Sequence, residues 1–224
     1  VIALLKDAIV EENEDYIAIN KPEGIASHGG SGISIGVIEA IRNFGKAYRE
    51  AKLVHRLDKD TSGCQLIAKN NKFLRRCNKL ISERQVQKTY QAVVHGNWIH
   101  KDGLHEINIK KNMLVGKERM VKISEGGKIA KTFFQAVESS KHFSLVECEL
   151  VTGRTHQLRV HLSELGFPIV GDIKYGIKEG QLIKDSDHKK RMYLHANSFV
   201  SEDLNIHLRV EPPKEFKKIL KNDE

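Results

Sequence analysis

The chain has 224 residues, 40% hydrophobic and 29% charged, a balance that lets it bury a core and excludes a disordered or fibrous chain. Lys and Arg number 37 against 29 Asp and Glu, a net charge of +8, which suits a polyanionic partner but specifies no fold. No apolar run approaches a membrane span and no signal-peptide pattern opens the chain. Cys64, Cys77 and Cys148 form no CxxC pair, which argues against a disulfide framework or a zinc site and predicts a reducing, cytoplasmic setting.

In chain order, Ile9–Glu11 and Tyr16–Ile19 read as short strands around a polar turn, closed by the breaker Lys21-Pro22-Glu23-Gly24. A helix is predicted from Ser34, its hydroxyl as N-cap, through Val37, Ile38 and Ile41. Leu53–Leu57 and Cys64–Lys69 are strand candidates around a polar loop. Asn70–Arg84 reads as an amphipathic helix with Phe73, Cys77, Leu80 and Ile81 on one face and Lys72, Arg75, Arg76 and Lys79 on the other. A solvated face would mix charge signs to gain i,i+4 pairs, so a face of one sign favours phosphate contact. Thr89–Val94 and Thr132–Cys148 read as strands, the latter turning near Ser139–His142, after a Gly-containing region studded with Lys110, Lys111, Lys117, Arg119, Lys122, Lys128 and Lys131. Thr155–Leu165 fits a helix capped by Thr155 and stopped by Gly166 and Pro168. Strands near Tyr193–Phe199 and Asn205–Val210 precede a basic helix after Pro213. With no regular βαβ alternation, the class is α+β. No repeat or linker divides residues 1–224, which predicts a single domain.

The loop from His55 to Ser62 concentrates His55, Arg56, Asp58, Lys59, Asp60, Thr61 and Ser62 between two apolar segments, the kind of place where binding and catalytic residues collect. The plainer alternative is a hairpin loop whose Asp, Ser and Gly serve turn chemistry. A calcium loop is excluded. Asp58, Asp60, Ser62 and Gly63 match the first, third, fifth and sixth ligand-loop positions, but Lys69 stands where a bidentate Glu is required. His156 and His161 fall on different faces of a helix, poor metal-ligand geometry, and the Gly29–Gly32 tract reads as a simple loop.

His55-Arg56-Leu57-Asp58-Lys59-Asp60-Thr61-Ser62-Gly63 resembles the signature of the RluA-type pseudouridine synthases, in particular the branch containing RluC and RluD. Gln87–Ala92 resembles that family's second motif and Val151–His161 its third, while Asn20–Gly24, His28–Gly30 and Gly171–Gly176 also fit. The match runs from about residue 8 to 218. The resemblance implies the pseudouridine synthase fold, a mixed and largely antiparallel sheet with flanking helices and a central catalytic cleft. Larger members carry a small S4-like RNA-binding domain ahead of the catalytic one, and the residues before 8 are too few to encode it.

By resemblance Asp58 is the catalytic carboxylate, acting as a nucleophile on ribose C1′ or base C6, or as a base toward the sugar. Asp60 is expected to bind backbone N–H groups in the turn. Asp58 must stay ionised in a pocket poor in water, and Arg159 is expected to pair with it through two hydrogen bonds. Tyr90 is assigned to stack on the target uracil, Arg56 to fill the place of the extruded base, and His55 to hold the loop by hydrogen bonding. His55 and Leu158 join Arg56 as substrate-side residues, and Lys72, Arg75, Arg76 and Lys79 as contacts to the RNA backbone. The reaction needs no cofactor and no metal. The implied partner is large-subunit ribosomal RNA, with no membrane and no protein partner, for a monomer. The competing readings are an RNA-binding or ribosome-assembly module without turnover, and a metal-dependent RNA hydrolase, for which Asp58 and Asp60 alone are too few ligands.

Overall fold

The computed structural model describes residues 1–30, 35–99, 101–115, 118–177 and 191–223, the side chains of 112–115 and 118–119 excepted. Backbone contacts divide the chain into two compact units, Val1–Lys88 with His195–Pro212, and Thr89–Leu194 with Pro213–Glu224.

In the first unit, α1 (Ile2–Asp7), which the sequence pattern did not announce, leads into β1 (Ile9–Glu12) and β2 (Tyr16–Lys21). The side chain of Asn13 turns this antiparallel pair by accepting the N–H groups of Asp15 and Tyr16. β4 (Ser62–Ala68) pairs antiparallel with β2 along one edge. Its other edge takes β3 (Lys52–Leu53) near the C-terminal end and β10 (Leu194–Ser201), in parallel, at the N-terminal end. β11 (Ile206–Arg209) pairs antiparallel with β10. The parallel contact requires glycine at position 63. Its φ is +111°, and a Cβ there would lie 2.2 Å from the Ala196 carbonyl oxygen.

β2 and β4 are apolar on both faces because both faces are covered. Ile17, Ile19 and Ile67 pack with Leu5 of α1 and with Val37, Ile38 and Ile41 of α2 (Val37–Arg42). Tyr16, Ala18 and Leu66 pack with Phe73, Cys77 and Leu80 of α3 (Asn71–Ser82). α3 forms as predicted, and the Asn70 side chain caps it by accepting the Phe73 N–H at 2.9 Å. The proposed cap of α2, Ser34, lies outside the described residues. Gly36 occupies the N-cap position, and the Glu39 carboxylate accepts the N–H groups of Gly36 and Gly29 at 3.0 and 2.9 Å. The strand predicted over Leu53–Leu57 ends at Leu53; the Val54 N–H still donates to the Leu66 carbonyl, and beyond it side chains bond the His55 and Leu57 peptide groups.

The second unit is an antiparallel sheet in the order β5 (Gln87–His95), β9 (Phe143–Leu150), β8 (Lys128–Ser139), β6 (Gly103–Val115), β7 (Glu118–Ile123). β5 enters this unit at Thr89. The β6–β7 hairpin occupies the lysine-studded region for which no strand was predicted. α4 (Gln157–Glu164) is shorter than expected, and Thr155 is not its cap: His156 holds the N-cap position in a left-handed conformation, φ 51°. Val160 packs α4 against Ile109, Val121 and Ala130 of the sheet. α5 (Glu215–Lys221) follows Pro213 as predicted and buries Phe216, Ile219 and Leu220. The class is α+β, the parallel β4–β10 pairing standing beside antiparallel ones. Among the described residues, no helix is long and apolar enough to cross a membrane.

Candidate active site

His55, Arg56 and Asp58 share one loop of the first unit, between β3 and β4. Side chains rather than a ladder shape it. His55 accepts the Leu66 N–H on Nε2 at 3.1 Å and stacks on Phe199 with ring centroids 5.4 Å apart. Burial, and then the charge of Lys88, push its pKa down to about 3, so the ring is neutral at pH 7 and works as a brace on β4. The Leu57 peptide groups are held by Ser27, which is 3% exposed. The Thr61 N–H donates to the Asp58 carbonyl at 3.2 Å, the bond type expected of the Asp60 side chain. Asp60 is instead exposed and acts through its charge on Lys21. Arg56 is exposed, with Nη1 3.5 Å from His28 Nε2, and Asp58 is half-buried.

Beneath this loop lies Lys21, which the sequence presented as part of a chain breaker and of the family-like segment Asn20–Gly24, with no role of its own. Its side chain is 0% exposed, and Nζ donates to the carbonyls of Pro22, Ile25 and Lys59 at 2.7, 2.8 and 3.1 Å. Burial pulls its pKa down to about 7, against the carboxylates of Asp60, Asp58 and Glu23, which pull it up. Three carbonyl acceptors match the three donors of an ammonium. Lys21 thus ties the residue after Asp58 and, when protonated, sets a positive charge near that carboxylate.

Tyr90, Leu158 and Arg159 belong to the second unit. Tyr90 lies on β5 opposite Cys148 and is 8% exposed. Leu158, at 4% exposed, is packed in the interior, and Arg159, at 8%, is nearly so. Within its unit Arg159 makes a two-pronged contact with Asp172, a partner that the sequence pattern did not announce. Nε meets Oδ2 and Nη2 meets Oδ1, both at 2.8 Å, and the guanidinium lies 5.0 Å from the Tyr175 ring centroid. Burial would raise the Asp172 carboxyl, but Arg159 and the N–H groups of Tyr175 and Lys174 hold it below its ordinary value. A separation of 13 residues hid this pair from any local pattern. The preceding loop is folded by Gln157. Its carbonyl oxygen accepts from Thr152 Oγ1 and the Arg154 N–H, and its amide donates to Lys131 O and Thr132 Oγ1.

On α3, Lys72, Arg75, Arg76 and Lys79 are all exposed. Arg76 donates to the Asp203 carbonyl, and Lys79 lies 4.0 Å from Glu83, so the face is less uniformly available than its composition indicated. Among the described residues, no group of three or more His, Cys, Asp or Glu is placed to hold a metal ion. The three cysteines are unbridged and buried, and burial pushes their thiols up, away from the nucleophilic thiolate.

The sequence pattern of the RNA pseudouridylate synthase family matches residues 15–164. The chain is 40% identical to ribosomal large subunit pseudouridine synthase C of Salmonella typhi, covering 98% of this chain and 70% of that protein. It is 40% identical to the same enzyme of Escherichia coli K12, covering 95% and 68%, and 42% identical to that of Pasteurella multocida, covering 98% and 68%. Among solved structures it is similar to human RNA pseudouridylate synthase domain containing 4, with TM-score 0.80, 26% identity, and 98% and 94% of the two chains covered. Human RNA pseudouridylate synthase domain containing 1 follows with TM-score 0.76, 27% identity, and 92% and 83% covered. The chain, with its signature loop and α+β fold, belongs to the RNA pseudouridylate synthase family, isomerases that convert uridine to pseudouridine in RNA.

Proposed function

We propose that this protein isomerises uridines of large-subunit ribosomal RNA, with Asp58 as the reacting carboxylate. The C1′–N1 bond breaks, the base turns, and a C1′–C5 bond forms. C5 gives up its hydrogen as a proton and N1 takes one, so nothing is gained or lost and no cofactor is called for. Asp58 serves as nucleophile toward ribose C1′ or base C6, or as a base toward the sugar. Arg56, exposed on the same loop, replaces the extruded base in the stack, at a cost of a few kcal/mol to the RNA. Tyr90 offers its ring to the uracil, a contact worth roughly 1–3 kcal/mol. Arg159, oriented by Asp172 and Tyr175, supplies a fixed positive charge, and Leu158 supports it from within α4. His55 positions the loop. Lys72, Arg75, Arg76 and Lys79 meet the RNA backbone. The observation that carries this reading is the fixation of Asp58, with Ser27 tying the residue before it and Lys21 the residue after it. A turn chosen only for its chain reversal has no need of a buried polar side chain on each flank. The substrate class follows the relatives, which are large-subunit synthases. Primer-extension mapping of carbodiimide-treated ribosomal RNA from a strain lacking the gene tests it. One or more large-subunit stops should vanish and return on complementation. An unchanged large-subunit map refutes the ribosomal assignment.

A further inference from the structure

The structure assigns Ser27 a role that the motifs do not mark. We propose that it is a positioning residue, whose hydroxyl aims Arg56 and Asp58 through the residue that joins them. The proposal rests on Asp58 being the reacting carboxylate. Ser27 Oγ donates to the Leu57 carbonyl at 2.7 Å and accepts the Leu57 N–H at 2.9 Å. The Gln65 side-chain amide, 0% exposed, donates to the same oxygen at 2.9 Å. A hydroxyl has one donor and two acceptor sites, and all three are used.

The Leu57 N–H belongs to the peptide plane shared with Arg56, and the Leu57 carbonyl to the plane shared with Asp58. Peptide planes are rigid, so fixing both sets the backbone directions from which Arg56 and Asp58 project. Leu57 itself turns inward, 6% exposed, and Arg56 faces out. The support is itself anchored. The Ser27 carbonyl accepts the Ile38 N–H at 3.2 Å and the Ala26 carbonyl accepts the Val37 N–H at 2.8 Å, which ties this segment to the first turn of α2. Gly36 lets the segment approach that turn, since a Cβ there would lie 2.6 Å from the His28 carbonyl carbon. Gln65 also donates to the His55 carbonyl at 3.2 Å, so the start of the loop and its centre share one support. A hydroxyl that served stability alone could sit anywhere in the core. This one acts on both planes flanking the residue between the two functional side chains.

The test is release of tritium from [5-³H]uridine ribosomal RNA by the parent, Ser27→Ala, Ser27→Thr and Gln65→Leu proteins, each confirmed folded by circular dichroism. Ser27→Ala should lose 10- to 100-fold in kcat, roughly the cost of misplacing a reacting group by an ångström, with KM within about threefold. Ser27→Thr, which keeps the hydroxyl, should recover kcat to within about threefold of the parent. Gln65→Leu, which removes one of the three bonds, should show a smaller kcat loss and stands in if Ser27→Ala does not fold. Parent-like kcat in Ser27→Ala, or in Gln65→Leu when it stands in, overturns the proposal, as does an equal loss in folded Ser27→Thr. Asp58→Asn, run alongside, separates the two claims. Its full activity would remove the underlying assignment, whereas an inactive Asp58→Asn beside a normal Ser27→Ala overturns the positioning role alone.

Discussion

Arg159 owes its orientation to Asp172, and the cost of separating them is calculable in direction. The pair is buried, and both carboxylate oxygens are engaged by the guanidinium. Removing Asp172 takes a two-pronged carboxylate contact from a desolvated guanidinium, so Asp172→Ala should lose about 3–5 kcal/mol in urea unfolding. A loss under about 1 kcal/mol would mean the pair is solvated in practice. Tyr90→Leu should fold and bind RNA yet lose most turnover, with Tyr90→Phe retaining more because the stacking face survives. A fully active Tyr90→Leu would end the stacking assignment. The residues proposed to carry the chemistry fall in contiguous motifs that the sequence displays. Lys21 and Asp172 lie in segments that fit the family pattern, but nothing local shows what they hold, and Ser27 lies outside those segments. Ser27 and Asp172 reach their partners across 30 and 13 residues, distances that no local pattern encodes.

At the scale of elements, α3 offers the clearest measurement. Its four cations are exposed, but Arg76 is engaged with Asp203 and Lys79 stands near Glu83. Replacing Lys72 or Arg75 by Ala should therefore lower the slope of log affinity against log salt by roughly 0.7–0.9 each. Arg76→Ala and Lys79→Ala should lower it less. Unchanged slopes in all four variants would return this face to ordinary solvation. α3 was readable because helical periodicity, an Asn cap and a clean split of charge agreed. α4 was placed but misbounded, since the left-handed His156 and the Gln157 side chain do the work assigned to Thr155. The β6–β7 pair escaped notice because the polar run Lys110-Lys111-Asn112 breaks its alternation, where the register shifts between Lys110 and Met113.

For the molecule as a whole, His55 and His161 weigh on stability in acid. Burial, with Lys88 adding to it, holds His55 near pH 3, and burial, with His105 adding, holds His161 near 4. Both folded values lie below the ordinary value of 6.5, so in acid the unfolded chain takes up protons that the folded one refuses. Unfolding free energy should fall as pH drops from 6.5 toward about 4, approaching a slope of about 1.4 kcal/mol per pH unit for each histidine. Urea titrations at pH 7, 6 and 5 check this, and a flat profile contradicts it. The α+β class was legible from strands that lack βαβ spacing. The parallel β4–β10 pairing was not, because it joins segments more than a hundred residues apart through Gly63, whose close approach to Ala196 only the packing reveals.

The central claim is that the chain turns over uridine through Asp58, and one substitution addresses it. Asn is nearly isosteric with Asp and leaves the bonds of Ser27, Lys21 and Thr61 to the loop backbone intact, but it cannot supply a negative oxygen. Tritium release from [5-³H]uridine ribosomal RNA by Asp58→Asn should fall by several orders of magnitude, while RNA affinity stays within about tenfold, or 1.4 kcal/mol. Asp60→Asn, at an exposed position, should keep most of the parent activity. Robust release by Asp58→Asn would contradict the assignment.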